Sequence, residues 1–388
     1  MRATLAAPLL ALACLAGSTS AAAQDIPLQG FVLRSKVLGQ ERKIMIWTPP
    51  GYERNVRGYP VLYLTDGPAQ LPLVATTVDF LARHGRIPDL IIVGIAPGDR
   101  TRELAPSPGG AEGFKVDEAG APAFLSFIET ELIPWVAARY RTGPFKILAG
   151  HSMGGLFALH ALAARPGLFQ AVLAVSPTLS WNEDEPARKL RALVAAQPAL
   201  KATVVVTLGD EGPALARQLE AVREAMKQAG PDLRFAALQQ PGEDHATTPF
   251  GGFYQGLKFV FDGWRMPFPS SDTGPKGGLP ALKAHYDALS KRLGWPVTPP
   301  ELMVNLAGYQ QLRDGNAAAA IATFQQELLW YPDSANAHDS LGEAFEKAGQ
   351  LQDARREYRA AWHAGEQLGD PATPVYKQHF ERLGGPVE

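Results

Sequence analysis

The sequence predicts an α/β fold, a mostly parallel sheet in a three-layer arrangement, followed by a small all-α region. Three observations predict it. Short apolar runs recur from residue 31 onward, with amphipathic helical stretches between many of them. One of those runs, Ile147-Leu148-Ala149, leads directly into Gly150-His151-Ser152-Met153-Gly154 and then into a helical pattern. Beyond about residue 280 the strand-like runs stop and Ala-rich helical periodicity takes over. Strands alternating with helices give a parallel sheet covered on both faces.

The elements follow in order. Residues 1–23 carry a positive start at Arg2, an apolar run over 5–15 and Ala21-Ala22-Ala23 before Gln24, the pattern of an export signal. That run is shorter than the roughly 20 apolar residues a membrane span needs. The single cysteine, Cys14, lies inside it in a poor lipid-attachment context, so the mature chain is expected to be exported, periplasmic, not a lipoprotein and free of disulfides. With 388 residues, 46% of them hydrophobic, the chain has material for a large core, and a net charge of −2 gives no reason to expect a nucleic-acid partner.

Residues 24–266 form the predicted α/β domain. Runs at 31–38 and 42–47 read as a hairpin, closed by Pro49-Pro50-Gly51. Further strands are predicted at 61–64, 90–95, 145–149, 171–175, 203–208 and 234–238, and helices at 113–140, 153–164, 186–196 and 214–229. The Pro- and Gly-rich stretch 267–280 reads as a linker. In 281–388, Gly308, Ala320 and Phe324 are matched 34 residues later by Gly342, Ala354 and Tyr358, the small-small-aromatic spacing of tetratricopeptide-like repeats. Such repeats expose a surface for a peptide or protein partner.

Gly150-x-Ser152-x-Gly154 is the nucleophile turn of an α/β-hydrolase fold, where a serine stands on a tight strand-to-helix bend with glycines at the points of closest approach. A serine hydroxyl attacks well only when a base takes its proton, and a carboxylate normally holds that base. In this fold the chain order is serine, acid, histidine. His245, in a turn after a late strand, fits the base. His160, two turns beyond the serine, and His285, His338, His363 and His379 in the tail fit less well. His151, beside the serine, reads as lining the pocket. Two acids follow the strand at 203–208, Asp210 and Glu211; the longer Glu211 is preferred and Asp210 stays open. Met153 supplies one backbone N–H of an oxyanion hole. The loop Thr65-Asp66-Gly67-Pro68-Ala69 supplies the second from Gly67 or Ala69, because Pro68 has none. Asp66 reads as a loop-fixing acceptor. No motif for a metal, nucleotide or other cofactor occurs.

These residues, with RKIMIWTPPGY at 42–52, VLYLTDG at 61–67, IIVGIAPGDRTR at 91–102, Glu103-Leu104-Ala105-Pro106, Ser176-Pro177, Trp181-Asn182 and Pro241 to His245, make the chain resemble the putative esterase (esterase D-like) family of α/β-hydrolases. It is most similar to the ferric-siderophore esterase-like branch. The resemblance implies acyl chemistry, with Ser152 as nucleophile and His245 as base. It also places Arg100 and Arg102 on a loop that either faces an anionic or catechol-rich ligand or forms a surface salt bridge. Trp181 is either an aromatic wall of the pocket or part of the core. The expected function is an exported serine hydrolase of carboxylic esters, of siderophore type among others, working through an acyl-enzyme. An acyltransferase and a non-catalytic scaffold that binds through the repeats are the alternatives.

Overall fold

The computed structural model describes residues 28–54, 57–111, 113–267 and 275–384. The export signal read at 1–23 and residues 268–274 of the linker lie outside these residues.

The strands are β1 (Leu28–Arg34), β2 (Glu41–Trp47), β3 (Tyr59–Leu64), β4 (Ile91–Ile95), β5 (Gly109–Ala111), β6 (Phe114–Val116), β7 (Thr142–His151), β8 (Ala171–Val175), β9 (Ala202–Leu208) and β10 (Leu233–Gln239). Eight of them make one sheet in the order β1-β2-β4-β3-β7-β8-β9-β10, while β5 and β6 pair separately. β1 and β2 run antiparallel to each other, and β2 to β4; from β4 to β10 every neighbouring pair is parallel. Every residue of β3, β4, β8 and β9 is buried, which is why those segments read as unbroken apolar runs.

The helices are α1 (Gly67–Arg83), α2 (Arg100–Leu104), α3 (Ala121–Phe127), α4 (Ile133–Ala137), α5 (Met153–Ala164), α6 (Glu185–Ala196), α7 (Pro213–Met226), α8 (Thr248–Val260), α9 (Gly278–Leu293), α10 (Glu301–Arg313), α11 (Ala317–Trp330), α12 (Ala335–Lys347), α13 (Leu351–Leu368) and α14 (Thr373–Arg382). Strand side chains alternate between the two faces. Tyr63, Val93, Leu148, Val172 and Val204 enter the core under α3 and α5 to α7. Leu62, Ile92, Ile147, Leu173 and Val205 enter the core under α1 and α8. These features make an α/β-hydrolase fold followed by a helical C-terminal region.

Three departures from the sequence reading have physical causes. Helix α1 occupies a segment the sequence left unassigned, because Gly67, Pro68 and Pro72 signal a loop; Pro68 falls in the first turn, where no N–H is needed. α8, likewise unassigned, opens on Thr248-Pro249. The helix expected over 113–140 divides into β6, α3, a π-helical turn (Ile128–Leu132) and α4. Pro134 has no N–H for the regular ladder, and the wider turn lies just before it.

The tail is bound to the α/β domain. α9 starts at Gly278, inside the stretch read as linker, and its Leu282, Tyr286, Leu289 and Leu293 share a core with Leu257, Val260 and Phe261. The Tyr286 hydroxyl donates to the Trp264 carbonyl at 2.9 Å. Beyond it, α10 to α13 form two hairpins with the same internal contact. A Cβ on Gly308 would lie 2.3 Å from the Phe324 ring, and one on Gly342 would lie 2.6 Å from the Tyr358 ring. The absent side chain lets each helix pair close over its aromatic ring.

Candidate active site

β7 ends in the middle of the sheet, and the chain turns at Ser152 before entering α5. Ser152 has φ 61°, a conformation an L-residue adopts only when the surroundings impose it. The surroundings are tight. A Cβ on Gly150 would come within 2.4 Å of the Gly154 backbone, and one on Gly154 within 2.2 Å of the Thr65 hydroxyl. Only glycines fit there, and their pairing holds the serine hydroxyl above the C-terminal edge of the sheet. The parallel strands β3, β8, β9 and β10 deliver their following loops to that same edge, the usual place for a site in an open parallel sheet.

His245 Nε2 lies 3.0 Å from Ser152 Oγ, and His245 Nδ1 lies 2.6 Å from Glu211 Oε2. Of the two acids left open, Glu211 is the one that reaches the imidazole. Asp210 Oδ2 instead accepts the Gly242 N–H at 2.7 Å, and the Asp210 N–H donates to the Glu243 carbonyl at 2.6 Å. It fastens the loop that carries His245. Burial works to raise the Glu211 carboxyl, but hydrogen bonds from His245, Ser176 and the Gly209 N–H outweigh it and hold the group below its ordinary value. The carboxylate is therefore ionised where it faces the imidazole.

His151 does not simply line a pocket. Its Nε2 donates to the His245 carbonyl at 2.8 Å, and the two rings lie 4.7 Å apart. Thr248 Oγ1 donates to the same carbonyl at 3.1 Å, so the backbone of His245 is held from two sides. Burial, followed by the neighbouring His245, lowers the affinity of His151 for a second proton and keeps it neutral.

The first-turn amide of Met153 has no acceptor within its own helix. Across from it, Asp66 sits at φ 55° just before α1, and its carbonyl accepts the N–H groups of Ala69 and Gln70, each at 3.0 Å. The Ala69 amide is thus committed within α1, while Gly67 opens the helix. A Cβ on Gly67 would meet the Gly94 backbone at 2.6 Å, so only glycine lets α1 begin this close to β4.

Arg100 grips Asp66 with both ends of its fork, at 2.6 and 2.8 Å, and points its Nη2 at the His151 carbonyl, 3.4 Å away. Arg102 pairs loosely with Asp99 at 3.8 Å and Glu118 at 3.7 Å in solvent. Trp181 is fully buried and donates its Nε1–H to Ser107 Oγ at 3.3 Å, so it offers no open face to a ligand.

The sequence reading gave Ser176 no role beyond a matched Ser-Pro pair. Its hydroxyl touches both Glu211 Oε1, at 2.5 Å, and His245 Nδ1, at 2.9 Å. No spacing rule points to it, because the contact depends on a backbone φ of 42° at the end of β8. Among the described residues, no group of three or more His, Cys, Asp or Glu is placed to hold a metal ion, and no helix is long and apolar enough to cross a membrane.

The chain is 30% identical over 184 residues to the siderophore triacetylfusarinine C esterase of Aspergillus fumigatus, a stretch covering 40% of this chain and 62% of that one. The chain spans between a quarter and about three fifths of the length of the curated relatives it matches. In three dimensions it resembles an IroE-like serine hydrolase from Shewanella oneidensis with a TM-score of 0.66 and 26% identity, over 78% of this chain and all of the other. An uncharacterised protein from Capnocytophaga ochracea, 17% identical with a TM-score of 0.63, shares the fold over 92% of this chain and 99% of its own. The model of the family described as Putative esterase matches residues 35–255, more than half of the sequence. The chain belongs to the putative esterase family of α/β-hydrolases.

Proposed function

We propose that this protein hydrolyses carboxylic esters through an acyl-enzyme on Ser152. The observation that carries the reading is the single imidazole of His245 set between Ser152 Oγ, at 3.0 Å, and Glu211 Oε2, at 2.6 Å. His245 Nε2 takes the Ser152 proton as Oγ bonds to the ester carbon. The charge on the carbonyl oxygen is met by the Met153 and Gly67 amides. The imidazolium, steadied by ionised Glu211, then protonates the leaving alcohol. Water, deprotonated by the same imidazole, releases the acid and restores Ser152.

A siderophore-type ester is the substrate class that the relatives suggest, among them a siderophore esterase. Residues 1–23 act as an export signal, and α10 to α13 are tetratricopeptide-like repeats, a reading supported by the matched Gly308–Phe324 and Gly342–Tyr358 contacts. The domain limits are accordingly 24–266 for the esterase and 281–388 for the repeats, with α9 serving as their common wall.

The test is hydrolysis of a short-to-long series of p-nitrophenyl esters by the protein without residues 1–23, beside Ser152→Ala. Turnover that vanishes in the variant, with Ser152 labelled by a fluorophosphonate in the parent, is the expected result. Equal turnover by both proteins would sink the reading. Added glycerol that diverts the acyl group from water would move it to acyl transfer.

A further inference from the structure

We propose that Ser176 is a positioning residue that fixes both the carboxylate of Glu211 and the proton on His245. The inference rests on the reading of Ser152, His245 and Glu211 as a catalytic unit, and it adds a fourth member that touches no substrate.

Glu211 poses a problem that an aspartate in this position would not. Its extra methylene adds a rotatable bond, and the ionised carboxylate is only an acceptor, so it stays aimed only if donors hold it from several sides. Two donors meet on Oε1: the Ser176 hydroxyl at 2.5 Å and the Gly209 N–H at 3.1 Å. Oε2 is left for His245 Nδ1 at 2.6 Å. Because the hydroxyl has one hydrogen and the carboxylate has none, that hydrogen points at Glu211. The oxygen of Ser176 then offers only lone pairs to His245 Nδ1, 2.9 Å away. Nδ1 therefore faces two acceptors and must carry the proton. Nε2 is left bare toward Ser152, the tautomer a general base requires.

The backbone supports a specific function for this hydroxyl. Ser176 is 1% exposed and has φ 42°, in the left-handed region that favours glycine, and a proline follows it. Its N–H donates to the Thr207 carbonyl at 2.8 Å, tying the turn to β9, the strand that leads into the Glu211 loop. A residue held in such a conformation costs energy that a glycine would avoid, and the surrounding structure maintains it. The strained turn places the hydroxyl between two side chains from different loops.

The experiment measures p-nitrophenyl acetate hydrolysis by the full mature chain and by Ser152→Ala, Ser176→Ala, Ser176→Cys, Glu211→Ala and the Ser176→Ala/Glu211→Ala pair. Ser176→Ala is expected to lose about tenfold to a hundredfold in kcat with KM nearly unchanged, the scale for a misaimed reacting group. Its melting temperature should stay close to the parent's. On the Glu211→Ala background, Ser176→Ala should add almost nothing, because its target is already gone. NMR of the parent is expected to show a deshielded Nδ1 proton of His245, which should broaden or shift in Ser176→Ala. Ser176→Cys keeps the bulk and supplies only a weak S–H donor, so it should fall between parent and Ala even if the Ala variant folds poorly. Parent-like kcat in either folded variant, or an additive loss on Glu211→Ala, would overturn the proposal. Retained turnover in Ser152→Ala would overturn the hydrolase reading beneath it, a separate outcome.

Discussion

The indole ring of Trp295 lies 4.8 Å from the ring of Phe145, joining the segment after α9 to the strand that ends just before Ser152. Phe261, from the end of the α/β domain, completes the cluster at 5.7 Å from Phe145 and 6.4 Å from Trp295. α9 and the start of α10 are therefore a wall of the same core, while α11 to α14 pack in clusters of their own.

The consequence is testable by truncation. Removing residues 281–388 would uncover Phe261, Leu257 and Val260, each fully buried, and several fully buried apolar side chains are worth about 1.5–3 kcal/mol apiece. The truncated chain is expected to melt at a much lower temperature or to aggregate, losing activity for want of folding. A truncated protein that melts like the parent would show that α9 contributes little to the core.

The two acids beside β9 separate by mutation. Glu211→Ala removes the carboxylate that meets His245 Nδ1, and kcat is expected to fall by about a thousandfold or more. Asp210→Ala removes a single bond to the Gly242 N–H and should cost only a few-fold through a looser His245 loop. Steady-state rates on one ester decide the matter, and the opposite ranking would reverse the assignment.

Much of this site was legible in the sequence for a physical reason. The sharp turn at Ser152 demands Gly150 and Gly154, and such steric demands leave a fixed spacing. The order serine, acid, histidine is set by strand order, so it too could be read, although the choice between Asp210 and Glu211 could not. Contacts made across the site left no such trace. His151 holding the His245 carbonyl and Ser176 bridging two loops depend on how separate strand ends converge. Arg100 shows the same limit: its bidentate grip on Asp66 joins residues 34 positions apart. Helix α1 was missed because its first turn uses the residues that elsewhere mark a loop.

Arg42 and Glu103 form a nearly sealed pair at 2.5 Å, with side chains 2% and 3% exposed. Glu103 also accepts from Gln40 Nε2 and the Gly98 N–H, each at 2.9 Å. Glu103→Ala would strand the Arg42 charge in the core, a loss of about 3–5 kcal/mol. Because Glu103 belongs to α2, which also carries Arg100, the grip on Asp66 should loosen as well. Urea unfolding should show a large drop in midpoint. An unchanged midpoint would mean that Arg42 finds another partner.

Glu327 predicts how stability changes with pH. It sits on α11, fully buried, and neither carboxyl oxygen has a hydrogen-bond partner. Burial foremost, then the nearby Glu301, pushes its carboxyl from 4.5 up to about 8, and the Asn305 amide, already donating to Ser340 Oγ, opposes this only weakly. The folded chain thus holds a proton that the unfolded chain releases above its ordinary value. Stability from this group is complete below about pH 4.5 and declines by about 1.4 kcal/mol per pH unit until the folded group itself ionises. The protein should melt at a higher temperature in mild acid than at pH 8. Glu327→Gln, neutral at every pH and similar in size, should remove most of that difference and raise the melting temperature at pH 8. Melting curves for both proteins at the two pH values decide it: if the pH dependence persists undiminished in the variant, it originates elsewhere and Glu327 is charged in the fold after all.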